Sequence, residues 1–488
     1  MSISRRITSR HTRWLLCLSV IAAVPSAVPK GAGDDAPGLD RVDAFVRAEM
    51  ARQKVPGVAV AIVKKGAVLA AKGYGLANVE HNVAVSPDTI FQSGSVGKQF
   101  TSTAVMLLVE EGKIGLEDPI TKYFPDAPAP WRGILVRHLL THTSGIPDYE
   151  EAKDGPASVD LRRDYTEDDL RRFAYKLTLE FPPGSRWNYS NTGYVLLGII
   201  IHKTSGQFYG DLLHDRVFTP LGMKTARIIS EEDIVMNRAG GYRLVKGALK
   251  NQDWVSPTLN TTADGALYLS LRDMIAWDKG LRAGAILKPA SWAQVNAPVT
   301  LKSGKPYPYG FGWSVDTLNG SVRLHHGGSW QGFKTYISRY LGEDLTIIVL
   351  ANLAQSVPER FVDGIAGILA PPLAPPELKP IPDTEPEVRA RLDGLLRLAR
   401  EGRLSPAEFA YLRAGFFPDV AKAYQERLTK LGAIQRVSLL ERKELGDDRV
   451  YRYEIGSANE SLIVTLGLAP DAKVSLFSIR SKEPPLVG

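Results

Sequence analysis

Cysteine is all but missing from this sequence. The single one, Cys17, sits in an apolar run near the amino end, so the rest of the 488 residues can form no disulfide, carry no cysteine nucleophile and offer no thiolate to a metal. Long hydrophobic runs are missing too: the stretch from Trp14 to Val24 falls short of the ~20 residues that a membrane-spanning helix needs. It follows Arg5, Arg6, Arg10 and Arg13 and ends near the small residues Val24 and Ser26. This pattern reads as a signal peptide over residues 1–26 and implies a periplasmic or secreted protein, with an uncleaved anchor as the alternative. Trp14, Leu15 and Leu16 are too large to precede a lipid-modified cysteine, and Thr8 and Ser9 weaken the twin-arginine pattern that Arg5 and Arg6 suggest. Acidic residues are absent before position 27, so the formal charge of +7 falls to +3 without the four leader arginines, too diffuse to argue for nucleic acid. No internal repeat or long low-complexity tract interrupts what is otherwise the composition of a folded globular chain.

What is present points to one large domain and one small one. Leu39, Val42, Val46 and Met50 recur at helical spacing up to a stop at Pro56-Gly57. Val58 to Val63 and Ala67 to Tyr74, joined by Lys64-Lys65-Gly66, predict a β-hairpin. Ser95 to Gly112 is helical again, with Phe100, Ala104, Leu107 and Leu108 as its apolar stripe. From Asp118 to Leu301 short helical patterns alternate with loops rich in proline and glycine. Strands return at Gly312 to Val315, Val322 to His325, Phe333 to Tyr340 and Leu345 to Leu350, followed by a helix from Glu359 to Leu369. Pairing the late strands with the early hairpin gives an α/β chain of the α+β type: an antiparallel sheet flanked by terminal helices, the middle inserted as a helical lobe, and a cleft between the two. Seven prolines between 371 and 386 predict a semi-rigid linker. Residues 387–488 then form a small α+β domain, with helices around Val388 to Glu401 and Val420 to Leu431. Its four strands begin near Ile434, Arg449, Leu462 and Val474, and Tyr451, Tyr453 and Ile455 share one face.

Three short motifs carry chemistry. Ser95-Val96-Gly97-Lys98 opens a predicted helix, where residues three apart share a face and the Lys98 amine can reach the Ser95 hydroxyl. A serine needs an adjacent base to attack near neutral pH, and a lysine can be that base only if its pKa is lowered. In isolation the pair reads more readily as a helix cap with a solvated lysine. A P-loop would need glycine at 92, where Gln92 stands, and Ser or Thr at 99, where Gln99 stands; a Gly-x-Ser-x-Gly elbow would need glycine in place of Ser93. Tyr189-Ser190-Asn191 precedes the apolar run Tyr194 to Ile201 and offers a phenol and an amide, though a buried tyrosine beside a capping asparagine is the plainer reading. His326-Gly327-Gly328 follows a strand, where small residues allow close backbone approach or simply a turn.

In that order these motifs resemble those of the β-lactamase-related serine hydrolases, which include class C β-lactamases, low-molecular-weight penicillin-binding proteins, and their esterase and D-amino-acid peptidase relatives. The resemblance covers about Leu39 to Leu369 and includes Phe91 to Lys98, Arg137 to Gly145, Tyr189-Ser190-Asn191, and His326-Gly327-Gly328 with Gly332-Phe333. It implies the β-lactamase/transpeptidase-like fold over residues 39–370, with Ser95 as the acylated nucleophile and Lys98 and Tyr189 sharing acid and base duties. It also implies that Asn191 positions the substrate, that His326 and Gly328 belong to the third motif, and that the amides of Ser95 and Ser329 form the oxyanion hole. No cofactor or metal is implied. The partner is a small-molecule or peptide substrate, while cell-wall or membrane-surface association and oligomeric state stay open.

One departure narrows the chemistry. Lys-Thr-Gly is the common third motif, and this chain has His326-Gly327-Gly328, with a histidine often neutral near pH 7 and no hydroxyl at Gly327. That weakens docking of a substrate carboxylate. It argues for esters or amides over a D-Ala-D-Ala carboxypeptidase or β-lactamase, which remain alternatives, as does a non-catalytic sensor on the same fold. His325 is expected on the opposite face of the strand. His138 and His142 are four apart, but no third ligand is placed beside them, and shaping the loop is their expected role.

Overall fold

The computed structural model describes residues 38–150, 159–411, 416–457, 460–484 and 486, so the expected signal peptide lies outside the described residues. Helix α1 (Leu39–Gln53) buries Leu39, Val42, Phe45 and Val46, spaced three and four apart, and ends at Lys54 in the left-handed conformation. Strands β1 (Gly57–Lys64) and β2 (Ala67–Asn78) form the expected hairpin across Lys65 and Gly66, both at positive φ as a tight turn between twisted strands requires. A 3-10 turn, Gly94–Gly97, runs directly into α2 (Lys98–Glu110), and the apolar run after Tyr189 becomes α3 (Asn191–Ser205).

The late strands are β3 (Ser314–Leu318), β4 (Ser321–Trp330), β5 (Phe333–Tyr340) and β6 (Leu345–Ala351), followed by α4 (Pro358–Leu369). Among the described residues the large sheet runs β3-β4-β5-β6-β1-β2 and ends on the short strand Val83–Ala84, with every pair antiparallel. Central β6 is buried along its whole length, because both sheet faces are covered. On one face α1 and α4 pack Phe45, Val46, Phe361 and Ile365 against Val58, Val60, Ile347 and Val349. On the other, Ala59, Ala61, Ile348 and Leu350 meet Phe100 of α2 and Trp277 of the helix Leu271–Arg282.

The middle of the chain holds more strand than expected. Ile90–Gln92, Leu267–Ser270 and Arg227–Ile228 make a small sheet, and Tyr242–Val245 pairs with Ala248–Asn251. These runs are two to four residues long, too short to show alternation in sequence. β4 is also longer than predicted. It continues through His326, Gly327 and Gly328 instead of turning there.

Beyond the 3-10 turn Pro371–Leu373, the chain is without regular structure until α5 (Pro386–Arg400), which starts on a proline as helices often do. With α6 (Ala421–Leu431) it covers a four-stranded antiparallel meander of β7 (Arg436–Leu445), β8 (Asp448–Gly456), β9 (Ser461–Leu468) and β10 (Val474–Ser481). Tyr451, Tyr453 and Ile455 face its separate core. This unit is tied to the larger one by Arg186, which donates to Asp448 at 2.7 Å, and by Arg360, which donates to the Pro484 carbonyl at 2.9 Å.

Candidate active site

Segments far apart in the chain meet where β4 passes the start of α2. Because the 3-10 turn continues into α2, Ser95 and Lys98 stand on one side of a single helical start. Glycines let three backbones close around that turn. A Cβ on Gly94, whose φ is +49°, would lie 2.3 Å from the Ser329 nitrogen, and one on Gly328 would lie 2.0 Å from the Ser93 carbonyl oxygen. Two hydroxyls pin the arrangement: Ser93 Oγ donates to the Gly265 carbonyl at 2.8 Å, and Thr335 Oγ1 donates to the Ser93 carbonyl at 2.6 Å.

Lys98 is completely buried. Its Nζ lies 2.6 Å from Asn191 Oδ1, 2.5 Å from the Asp264 carbonyl oxygen and 3.1 Å from Ser95 Oγ. The first two partners can only accept, so they hold two N–H bonds, and the third direction is aimed at the serine. Burial lowers the Lys98 pKa to about 8, while the carboxylates of Asp264, Asp148 and Glu150 pull the other way. In the neutral amine the lone pair therefore faces the Ser95 hydroxyl.

Asn191, the first residue of α3, has both ends of its amide engaged by protein: Oδ1 by Lys98, and Nδ2 donating to Asp148 Oδ2 at 3.0 Å. It orients the lysine, a task not expected from sequence, although it also lines the cleft. Tyr189 lies beneath the lysine, with Lys98 Nζ 4.8 Å from its ring centre. Its hydroxyl is sealed from solvent and completes no hydrogen bond among the described residues, the Ser95 side chain being the group that faces it. Burial holds that phenol well above its ordinary pKa, so Tyr189 carries its proton near neutral pH.

His326 differs from expectation. Its Nδ1 lies 2.6 Å from the Gly327 carbonyl oxygen and its Nε2 lies 2.9 Å from the Tyr309 hydroxyl, so both nitrogens are engaged by protein groups. Burial, with Lys98 adding to it, lowers its pKa to about 3 and keeps it neutral. Gly327 differs too: a Cβ there would stand 3.2 Å from Tyr336 and 3.5 Å from Glu359, so the hydroxyl missing from position 327 is missing from the sheet's far face. His325 points to that far face, where Tyr336 and Asp316 hold its ring. His138 and His142 do not converge. His138 accepts from the Leu135 amide, whereas His142 is buried against the Tyr189 ring with centroids 4.2 Å apart.

The cleft above Ser95 is lined by Ser95, Asn191 and Ser329 among others, which makes the amides of Ser95 and Ser329 the candidate oxyanion donors. Its lining includes the acidic Glu150 and Asp264 and, among the described residues, no lysine, arginine or histidine. Asp148, Tyr149, Asp264 and Tyr309 were not found by sequence reasoning. They stand in no motif read there and reach the site only through tertiary contacts, such as the 2.9 Å bond from the Tyr149 hydroxyl to Asp264.

Residues 42–370 match the family model described as Beta-lactamase. The chain belongs to the β-lactamase family. That membership makes it a serine hydrolase of the Ser-x-x-Lys type. Among the relatives of this β-lactamase-family chain is penicillin-binding protein 4* of Bacillus subtilis, 30% identical over 310 residues that cover 59% of this chain and 68% of that protein. A D-aminopeptidase of Gluconobacter oxydans is 30% identical over 339 residues, covering 69% of this chain, and the chain spans only 63% of that enzyme. The octameric penicillin-binding protein homologue from Pyrococcus abyssi superposes with a TM-score of 0.59 at 26% identity, over 91% of this chain and 96% of that one.

Proposed function

We propose that this protein is an exported hydrolase that forms an acyl-enzyme at Ser95 on esters and amides whose acyl part carries a free amine. The observation that carries this reading is the cleft itself: a nucleophile with a buried lysine 3.1 Å away, in a pocket lined by the carboxylic residues Glu150 and Asp264. A substrate carboxylate would meet like charge there, and a substrate ammonium would be attracted. The name of the D-aminopeptidase relative agrees, since an amino-terminal residue carries such an amine. The leader of arginines followed by a short apolar run supports export, to the periplasm or beyond the cell.

The steps follow from the geometry. Neutral Lys98 takes the Ser95 proton as Oγ attacks the carbonyl carbon, and the Ser95 and Ser329 amides receive the oxyanion. Tyr189 gives its phenolic proton to the departing amine or alcohol and regains one from Lys98. Water then attacks the ester of Ser95 by the reverse relay, releasing the acid and restoring the hydroxyl. Lys98 is the acylation base in this account because burial disfavours the phenolate of Tyr189 and favours the neutral amine of Lys98.

The test compares an amino-acid p-nitroanilide bearing a free amine with its N-acetylated form, a short-chain p-nitrophenyl ester and a chromogenic cephalosporin. We expect kcat/KM for the free amine to exceed that for the acetylated form by roughly 10-fold, the worth of one charge-assisted hydrogen bond. The short ester should be turned over and the anionic cephalosporin scarcely. Equal rates with and without acetylation, or preferred turnover of the cephalosporin, would contradict the assignment.

A further inference from the structure

Below Tyr189 lies a chain of polar groups that the proposed reaction does not use. The Ser190 amide donates to His142 Nδ1 at 3.1 Å, and His142 Nε2 lies 3.1 Å from the Tyr309 hydroxyl. That hydroxyl lies 2.9 Å from His326 Nε2, and His326 Nδ1 lies 2.6 Å from the Gly327 carbonyl oxygen. The two ends fix the direction of everything between them. An amide can only donate, so His142 Nδ1 is an acceptor and its proton sits on Nε2. A carbonyl can only accept, so His326 carries its proton on Nδ1 and accepts at Nε2. The single Tyr309 hydroxyl then accepts from His142 and donates to His326, the one assignment that satisfies all four bonds when both rings are neutral. His142 and His326 are both buried, with 1% and 6% of their surface exposed, so an unmatched nitrogen in either would be costly.

The chain joins the lobe to the sheet. One end is Ser190, between Tyr189 and Asn191; the other is Gly327, next to the Gly328-Ser329 backbone that closes on the nucleophile. The His142 ring also packs on the Tyr189 ring, with centroids 4.2 Å apart and planes 34° apart. We propose that His142, Tyr309 and His326 are positioning residues, a one-way hydrogen-bond relay that sets the distance between the Tyr189 phenol and the β4 strand. This assignment rests on the role given to Tyr189 above.

The relay is read directly in the full chain by labelling its histidines with nitrogen-15 and recording long-range proton–nitrogen spectra near pH 7. Histidine-to-glutamine variants at 142 and 326 assign the signals. The expected result is two neutral rings of opposite tautomer, Nε2–H at His142 and Nδ1–H at His326; like tautomers, or a charged ring at either position, would overturn the relay. Because the spectra are taken on unreacted protein, they stand apart from whether Ser95 is acylated. On the kinetic side, Tyr309→Phe should lower kcat about 10-fold or more with KM changed less than about 2-fold, the mark of a misplaced group and not of lost binding. His142→Phe keeps the ring contact and removes the bonds, and combining it with Tyr309→Phe should cost little beyond the slower single variant. A folded Tyr309→Phe enzyme with unchanged kcat, or fully additive losses, would refute the proposal.

Discussion

Lys98 shows how burial and hydrogen bonding set the state of one side chain. Two carbonyl-type acceptors hold two of its N–H bonds, and burial brings its pKa down to about 8, leaving a base directed at Ser95. The sign of the pH dependence follows: protonation below that value removes the acceptor. With an uncharged ester, kcat/KM should fall about 10-fold per pH unit below about 8 and level off above it. A profile flat from pH 6 to 9 would show that the free-enzyme base is another group. The reach of Lys98 to Ser95 was legible in sequence from the three-residue spacing, and its reading as a catalytic pair came from the ordered arrival of the two later motifs. Asp148 and Asn191 as the setting for that lysine were not legible, because the bonds among them join positions 43 and 93 residues apart.

At the scale of elements, the hairpin, α1, α4 and the core strands follow from apolar periodicity, and the structure has them within a few residues of the expected bounds. Strand β4 is where pattern failed. His326-Gly327-Gly328 left close backbone approach and a turn both open in sequence; the strand runs on through it, and Gly328 packs against the Ser93 carbonyl as Gly94 does against the Ser329 amide. Adding one methyl at Gly328 forces β4 and the Ser95 turn apart. Gly328→Ala should therefore destabilise the fold by about 1–3 kcal/mol in denaturant titration and lower kcat more than tenfold. A variant with full stability and full turnover would mean that the two backbones have room to separate. The expectation about the third motif also changed at this scale: the proposed preference against a carboxylate rests on the acidic residues that line the cleft and on the engagement of His326 by Tyr309 and Gly327, and the missing hydroxyl at Gly327 concerns the opposite face.

In the whole molecule, the sheet and the inserted lobe bring a helix start, a loop tyrosine and a strand edge to one cleft, and the small C-terminal unit is fastened close by. Its β7–β8 turn reaches the segment carrying Trp187 and Tyr189, through Asp448 on Arg186 and through Gly446 against Tyr307, on which Trp187 stacks with centroids 4.6 Å apart. Sequence patterning anticipated the elements of that unit but not this attachment, which depends on single side chains meeting across the fold. The central claim, that this assembly makes Ser95 a nucleophile, is tested most directly by intact-protein mass measurement of the full chain after exposure to a fluorophosphonate probe. The account predicts one probe adduct, located on Ser95, in the unmodified protein and none in Ser95→Ala; undiminished labelling of Ser95→Ala would contradict it.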